Sequence, residues 1–416
     1  MTAPEALGSP PQAQTRRLLP SLAVVTLAVF ANYAGLLAVL LPNQIEAIDP
    51  ENKVTNLAIV TSVSFAFTIF AQPVTGALSD RTRSRLGRRA PWMLAGSVVA
   101  AAFLLGLGGL TSVAWICVFW VVIQFALNAT DVASSAFLPD RVPRQRRGAA
   151  AAALGLGAMA GAGVGTVVAG PLADDHRSLA YTILGLGVVA VTALFVLVNR
   201  ERSTAGDAVP AFRWRTFLRG FWIDPREHPG FAWVFGSRFL FVLGFNLIYV
   251  YQLYILTDYV GLVKDDANRL IGLLTVIAVG ATIVGIVVGG WLSDRLARRR
   301  VLLVIACGIL AAALAIPLVS ATAAAVVAFA AIQGVASGLY ISCGTALAVD
   351  LLPHRDTGAA RELGIYNVAT NIPQTVAPAL AGVLVHVFDG YRPLFAVAIA
   401  AVVMSAVLVT RAEATR

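Results

Sequence analysis

One carboxylate in this sequence stands where a carboxylate is costly. Of the 22 acidic residues, Asp131 alone falls well inside a long apolar stretch; the others lie in tails, in loops or at the ends of such stretches. A charge in that setting costs about 2.5–3.5 kcal/mol on insertion scales, so Asp131 is expected to face a bundle interior or a water-filled cavity. A carboxylate placed there can exchange a proton, which makes it a candidate coupling group for ion-driven transport. Arg238 is the one basic residue inside an apolar stretch. Counted along their stretches, both lie about two helical turns, roughly 10 Å, from the same side. A structural ion pair fits that placement, and so does a carboxylate that alternates between a proton and the arginine.

A second group is neutral. Asn32, Gln72, Gln124, Asn128, Asn246, Tyr249, Gln252, Asn367, Asn371 and Gln374 are scattered through the apolar stretches. Amides and an aromatic ring together suit a polyhydroxylated ligand, through paired donors and acceptors plus a face for stacking. Any one of them serves equally to join two helices by a hydrogen bond. As a set they favour a polar, uncharged substrate, because an anion calls for more than one intramembrane cation.

The third group is charged and lies between stretches, in GALSDRTRSRLGRRAPW, Gly76 to Trp92. Small Gly76 permits close helix contact. Asp80 with Arg81, Arg85, Arg88 and Arg89, and with Gly87 among them, can form charge-assisted pairs that latch helix ends. The alternative is that these arginines only fix topology; against it, the Ser-Asp-Arg core recurs with Asp294 and Arg295. Cys117, Cys307 and Cys343 have neither metal nor disulfide spacing and are expected to be packing residues. No nucleophile–base cluster, metal spacing or nucleotide loop is present, so neither an enzyme nor a bound cofactor or metal is expected.

Apolar helices must hold these groups in place. The chain is 58% hydrophobic and only 13% charged, with a mean hydropathy of +0.79, whereas soluble chains average about a quarter charged residues. Stretches near residues 20–42, 56–79, 91–110, 113–136, 148–172, 179–198, 231–257, 268–293, 300–319, 322–349, 359–387 and 391–410 are each long enough to cross the bilayer as a helix. The net charge of +9 does not indicate nucleic acid, because the basic residues sit in short clusters between apolar stretches. Placing the N-terminus inside puts 25 basic residues in the inner segments and five (Lys53, Arg177, Lys264, Arg269 and Arg392) in the outer ones. That bias predicts cytoplasmic termini on both sides of the chain. The first nineteen residues are polar and contain proline, and the stretch after them is too long for a signal segment, so it is expected to be a retained helix.

The chain also repeats itself. GALSDR at Gly76–Arg81 returns as GWLSDR at Gly290–Arg295, an offset of 214 that also carries Asn32 onto Asn246 and Arg147 onto Arg361. The expected organisation is therefore an all-α polytopic membrane protein of twelve transmembrane helices in two six-helix pseudo-repeats. Its parts are an N-terminal tail (1–19), a first bundle (20–198), a basic cytoplasmic linker (199–230), a second bundle (231–410) and a C-terminal tail (411–416). The linker holds AFRWRTFLRGFW, which suits a helix at the membrane surface as well as a mobile connection. In the fifth stretch Gly157, Gly161 and Gly165 form a four-residue spacing expected to be a close-packing face.

Two six-helix halves with this loop resemble the major facilitator superfamily. SDRTRSRLGRRAPW, with Gln72-Pro73 before it, is similar to the sucrose-type and glycoside–pentoside–hexuronide cation symporters. GIYNVATNIPQ (Gly364–Gln374) resembles the eleventh-helix pattern of sucrose transporters, and DVASSAFLP (Asp131–Pro139) the fourth-helix stretch of melibiose-type permeases. Sodium-using members of that group carry two second-helix aspartates where this chain has Thr68 and Gln72. The resemblance thus implies proton coupling through Asp131, with a sugar or glycoside as substrate, import by alternating access and no further partner beyond the lipid bilayer. The carrier is expected to be a monomer in the cell (inner) membrane. A proton-driven exporter of a drug or metabolite is the rival on the same fold; Ala173 and Asp174 after Gly170-Pro171 depart from the drug-antiporter pattern. A non-transporting membrane sensor is disfavoured by the repeated latch and by Asp131.

Overall fold

In lipid, a backbone without water must bond to itself, and long apolar runs do so as helices. The computed structural model describes residues 12–142, 146–205, 226–296, 298–351 and 359–412, and among them there is no strand. Twelve helices are long and apolar enough to cross a membrane. They are α1 (Leu18–Ile48), α2 (Lys53–Arg81), α3 (Ala90–Leu107), α4 (Val113–Ser135), α5 (Ala150–Leu172) and α6 (Arg177–Val198), followed by α7 (Pro229–Tyr249), α8 (Lys264–Leu296), α9 (Arg299–Val319), α10 (Ala323–Ala348), α11 (Val368–Phe388, helical from Ala359) and α12 (Arg392–Thr410). Number and order match the stretches read from the sequence. Several helices overrun them: α8 has 33 residues, about 50 Å at 1.5 Å per residue, well beyond a hydrocarbon core of about 30 Å.

Helix for helix, the two halves pack alike. In the first, α1 lies on α5, α2 on α4, and α3 on α4 and α6; in the second, α7 lies on α11, α8 on α10, and α9 on α10 and α12. The halves meet along α2–α11 and α5–α8. Small residues bring the backbones together. A Cβ added to Gly157, Gly161 or Gly165 of α5 would strike the carbonyl oxygen of Ala23, Leu27 or Ala31 on α1. The glycine spacing of the fifth stretch is thus a close-packing face, as expected. In the second half Gly285 and Gly338 interlock α8 with α10 in the same way.

Irregularities fall where the halves approach each other. Pro73 interrupts α2, and Pro373 and Pro378 interrupt α11, each removing one backbone donor from its helix. Five-residue π-turns sit at Leu36–Leu40 in α1 and at Ile255–Tyr259 beyond α7, a type of bulge frequent at functional sites. An even number of crossings puts both chain ends on one face, called here the terminus-bearing face; the α1–α2 and α7–α8 turns lie on the opposite face. In the α1–α2 turn, the Asp49 carboxylate accepts from the Asn52 backbone N–H at 3.1 Å and from Asn56 at 3.0 Å. These bonds, led by the one from the Asn52 backbone, hold it below the usual carboxylate range.

Candidate functional site

The second half encloses a cavity of about 410 Å³ between α7, α8, α10 and α11, closed by Ala162 of α5. Of the residues singled out in the sequence, Arg238, Asn246, Tyr249, Gln252 and Gln374 line it. Tyr249 stacks on Phe245 at 5.4 Å between ring centroids. Asn246 spends its Nδ2 on the Val242 carbonyl at 2.9 Å, leaving its oxygen for a ligand. Among the further polar residues that line the cavity and that the sequence reading passed over are Gln333, whose Nε2 donates to Ser337 at 2.9 Å, and Ser337 itself. Their signal was the four-residue spacing, which puts both on one face of α10.

Arg238 stands on the cavity floor and is held by α11. Its Nε donates to the Thr370 hydroxyl at 2.8 Å, a guanidinium nitrogen reaches the Tyr366 hydroxyl at 3.4 Å, and the group lies 4.6 Å from the Tyr366 ring centre. Asp131 is in the other half, on α4, and the two do not pair. The structural ion pair, one of the two readings the sequence left open, is not formed in this conformation; Thr370 and Tyr366 hold the guanidinium instead. Among the described residues the Asp131 carboxylate has no hydrogen bond or ion pair, and it lies within electrostatic range of Tyr33. The Tyr33 hydroxyl, the Asn32 Oδ1 and the Gln124 Nε2 are buried without partners. Buried polar atoms are nearly always satisfied in proteins, so this cluster of orphans on α1 and α4 is suited to water or to a ligand's hydroxyls.

The remaining amides have other partners. Asn32 ties α1 to α6 through the Leu184 carbonyl at 3.1 Å. Gln72 takes a 3.3 Å bond to Asn128 and accepts a 3.5 Å contact from Asn371, so it links α2 with α4 and with α11 across the halves. Asn367 lies on α11, and its side chain falls outside the described ones.

At the terminus-bearing face the Gly76–Trp92 loop folds around one buried arginine. Arg89 pairs with Asp80, reaches Asp140 at 3.4 Å and donates to the Ser79 hydroxyl at 2.7 Å. Arg88 adds a 3.1 Å pair to Asp140. Glu201, beyond α6, accepts from the backbone N–H groups of Arg89 and Ala90 at 2.8 and 3.0 Å, an anion at the start of α3. Gly87 has φ +95°, and a Cβ there would run into Glu201. These partners lie in the first half or, for Glu201, in the linker directly after it, so in this conformation the cluster joins helix ends of one bundle only. Gly76 departs from expectation: a Cβ would meet only Val132, at 3.8 Å, so no close helix contact depends on it here. Arg85 is exposed, as are Asp294 and Arg295 in the last turn of α8, where Arg295 lies over the Trp291 ring at 5.2 Å.

At the opposite face a network of charged and polar groups bonds within and between the halves. Glu46 at the end of α1 takes Lys53 at 2.7 Å and Lys264 at 3.3 Å; Lys53 also holds Asp258 at 2.8 Å, and Lys264 holds Asp174 at 3.3 Å. Asn43 and Asn268 exchange bonds of 2.7 and 3.2 Å, Tyr254 donates to the Pro42 carbonyl at 2.9 Å, and Tyr391 donates to Asp258 at 2.8 Å. Gly170 is needed here, because a Cβ would press on the Asn268 carbonyl at 2.8 Å. The cavity is thus sealed on this face.

The Major Facilitator Superfamily profile matches residues 22–265 and 235–415. An uncharacterized symporter of Synechocystis sp. is 50% identical over 44 residues, which is 11% of this chain and only 8% of that protein's length. Among solved structures, the nucleoside transporter NupG superposes with a TM-score of 0.74 at 14% identity, over 95% of this chain and 99% of its own. A bacterial homolog of the human lysosomal transporter Spinster, in its inward-facing and occupied conformation, gives 0.68 at 16% identity over 97% of each chain. At such identities the likeness is one of fold.

Proposed function

This chain belongs to the Major Facilitator Superfamily of membrane transporters, and from that premise we propose that it is a proton-coupled symporter of a sugar or glycoside working by alternating access. The observation that carries the reading is the division of labour between the halves. A cavity bearing Asn246, Tyr249, Gln252, Gln333 and Gln374 lies in one, and an unpaired intramembrane carboxylate, Asp131, lies in the other. Amide donors and acceptors beside a ring face fit hydroxyl groups, and the single cation Arg238 does not demand an anion. In this reading Asp131 carries the proton and Arg238 is its alternating partner, released from Thr370 and Tyr366 at another stage of the cycle. The chain divides at residues 20–198 and 231–410, and the terminus-bearing face, with 25 basic residues in its segments, is cytoplasmic. Most of the linker, residues 206–225, lies outside the described ones.

The sealed opposite face then makes this an inward-facing conformation, the state named for the Spinster homolog. A symporter fragment as relative and the sucrose-type motifs favour import. The apolar part of the cavity wall would also serve a proton-driven exporter of a drug or metabolite. Uptake of labelled sugars and glycosides into proteoliposomes under an imposed pH gradient tests the reading. Accumulation that collapses with the gradient is expected; net extrusion, or accumulation that follows a sodium gradient alone, would sink it.

A further inference from the structure

Where α5 and α8 meet, the two halves leave a space that neither fills. An apolar crevice of about 330 Å³ is lined there by Met159, Gly163, Val164, Val167, Val276 and Val279. Val167 is 50% exposed and Val276 49% exposed, so the crevice opens toward the hydrocarbon. Gly163 leaves it bare on α5, where a Cβ would meet only Val276, at 3.7 Å. Above the crevice, toward the opposite face, stands Arg269. It lies seven residues before Val276 and three before Gly272, whose added Cβ would meet Val167 at 3.4 Å. All three therefore share the stripe of α8 that faces α5. Seven residues are about 10 Å along a helix. The end of α5 is close by, since a Cβ built on Gly170 would lie 3.9 Å from the Arg269 Cα.

The charges around Arg269 are ordered. Arg269 is exposed and, among the described residues, makes no hydrogen bond or ion pair. Nearby, Lys264 is paired with Asp174 and Glu46. Asp265 and Asp266, in the first turn of α8, are exposed and form no ion pair among the described residues. They precede Arg269 by four and three residues, so they share its side of the helix and stand one turn farther from the crevice. Outward from the hydrocarbon come an apolar groove, a free cation and then two free carboxylates. Arg269 does not serve topology, because a basic residue at this face runs against the charge bias of the chain.

We propose that this groove binds one aminophospholipid of the surrounding bilayer, a phosphodiester that carries a primary ammonium. One acyl chain lies in the crevice on Val276 and Val279, the phosphate takes the Arg269 guanidinium, and the ammonium reaches Asp265 and Asp266. Chain, phosphate and ammonium follow one another in such a lipid in the same order as their partners do along α8. A guanidinium holds phosphate through parallel N–H···O bonds, and an ammonium donates to carboxylates. A choline headgroup has the same charge order but no N–H to donate, and a glycerol headgroup brings the carboxylates no cation. A lipid seated in this groove favours the present arrangement of α5 and α8 over one in which they part. The site is independent of what the cavity carries.

The test uses the full chain, delipidated in detergent and titrated with dioleoyl phosphatidylethanolamine, phosphatidylcholine and phosphatidylglycerol, with bound lipid counted by native mass spectrometry. One site should take the ethanolamine lipid about tenfold tighter than the glycerol lipid and about threefold tighter than the choline lipid, the order of one charge-assisted hydrogen bond. Arg269→Gln removes the phosphate partner and should weaken all three lipids by about tenfold. Asp265→Asn combined with Asp266→Asn should erase the ethanolamine preference and leave the glycerol lipid bound at least as tightly as before. Gly163→Leu, which fills the crevice without touching the α1 seam, should weaken all three alike. In nanodiscs, replacing the glycerol lipid by the ethanolamine lipid should raise the Tm of the wild type and leave that of Arg269→Gln unchanged. Equal affinity for the three lipids, or a site that ranks the glycerol lipid first, would overturn the proposal. An ethanolamine preference that survives both the Arg269 and the double aspartate substitutions would overturn it too and leave the crevice to ordinary boundary lipid. Binding indifferent to Gly163→Leu would take the acyl chain out of the crevice, with the same result.

Discussion

Asp131 and Arg238 share a depth and little else. Arg238 is held by a hydroxyl and a ring on α11, while the Asp131 carboxylate, in the other half, has no hydrogen-bond or ion-pair partner among the described residues. An aspartate left unpaired inside a bundle is tolerated when it binds a proton for part of a cycle. Asp131→Asn should therefore hold uptake under a pH gradient at simple equilibration, while exchange of internal for external substrate continues. Accumulation at the wild-type level in that variant would return Asp131 to a purely structural role. A second residue-scale prediction concerns Gly87. A side chain at φ +95° costs about 1–2 kcal/mol in backbone strain, and here it also displaces Glu201 from the α3 N-terminus. Gly87→Ala should lower the unfolding temperature in nanodiscs, whereas Gly155→Ala, with open space around it, should not. The types of the site residues were legible in the sequence, because amides and charges in apolar stretches are conspicuous. Their roles were not. Asn32 and Gln333 look alike in a sequence, and only the three-dimensional neighbours make one a helix tie and the other a cavity wall.

At the scale of elements, the seal on the opposite face depends on turns that are far apart in the chain. Glu46 lies in the last turn of α1, Asp174 follows α5, Asp258 precedes α8, and Lys53 and Lys264 open α2 and α8. No spacing rule relates such positions, so the network was invisible beforehand, whereas the glycine seam of α5 obeyed a period and could be read. One signal was available: among 31 basic residues only Lys53 and Lys264 are lysines, and both bond Glu46. A lysine is a compact charge on a flexible stem, without the rigid bidentate fork of arginine, and suits a contact that must break in every cycle. Burial, with the Asp258 carboxylate beside it, pushes the Tyr391 phenol well above its ordinary range, so it stays a donor to the latch. Glu46→Gln removes the charge shared by both lysines and should favour opening of this face. A cysteine at Ile255, 2% exposed at the sealed end of the cavity, should then react at least about fivefold faster with an impermeant thiol reagent added outside. Unchanged labelling would mean that packing of α1 against the Gln252–Tyr254 turn after α7, and not the ion pairs, keeps the face shut.

For the whole molecule, two bundles with the same internal pairing can rock against each other only if the contacts between them are few and exchangeable. The structure meets that condition asymmetrically. Ion pairs join the halves at the opposite face, while the Arg89 cluster at the terminus-bearing face stays within the first half. The twelve crossings and their repeat were legible because hydropathy and charge bias are one-dimensional properties; the conformation was not, because one sequence serves both ends of the cycle. Orientation is directly testable. Cysteines at Glu51 and Val263 should label from outside, and those at Arg85 and Arg295 should not; labelling of all four from one side would break the two-bundle arrangement. The cycle itself can be arrested where α2 meets α11. A Cβ on Gly382 would touch the Cβ of Ala58 at 2.9 Å, somewhat closer than the roughly 3.8 Å of a relaxed disulfide, so a small parting of the helices admits the bond. Ala58→Cys with Gly382→Cys, once oxidised, should hold the opposite face shut. Gradient-driven uptake should stop and return on reduction, while substrate added from the cytoplasmic side still binds. Since Cys307 and Cys343 are buried and Cys117 half-buried, the single-cysteine variants give the control. Uptake that continues through the oxidised crosslink would show that substrate crosses without separation of the halves at α2 and α11, and alternating access by rocking would have to be abandoned for this chain.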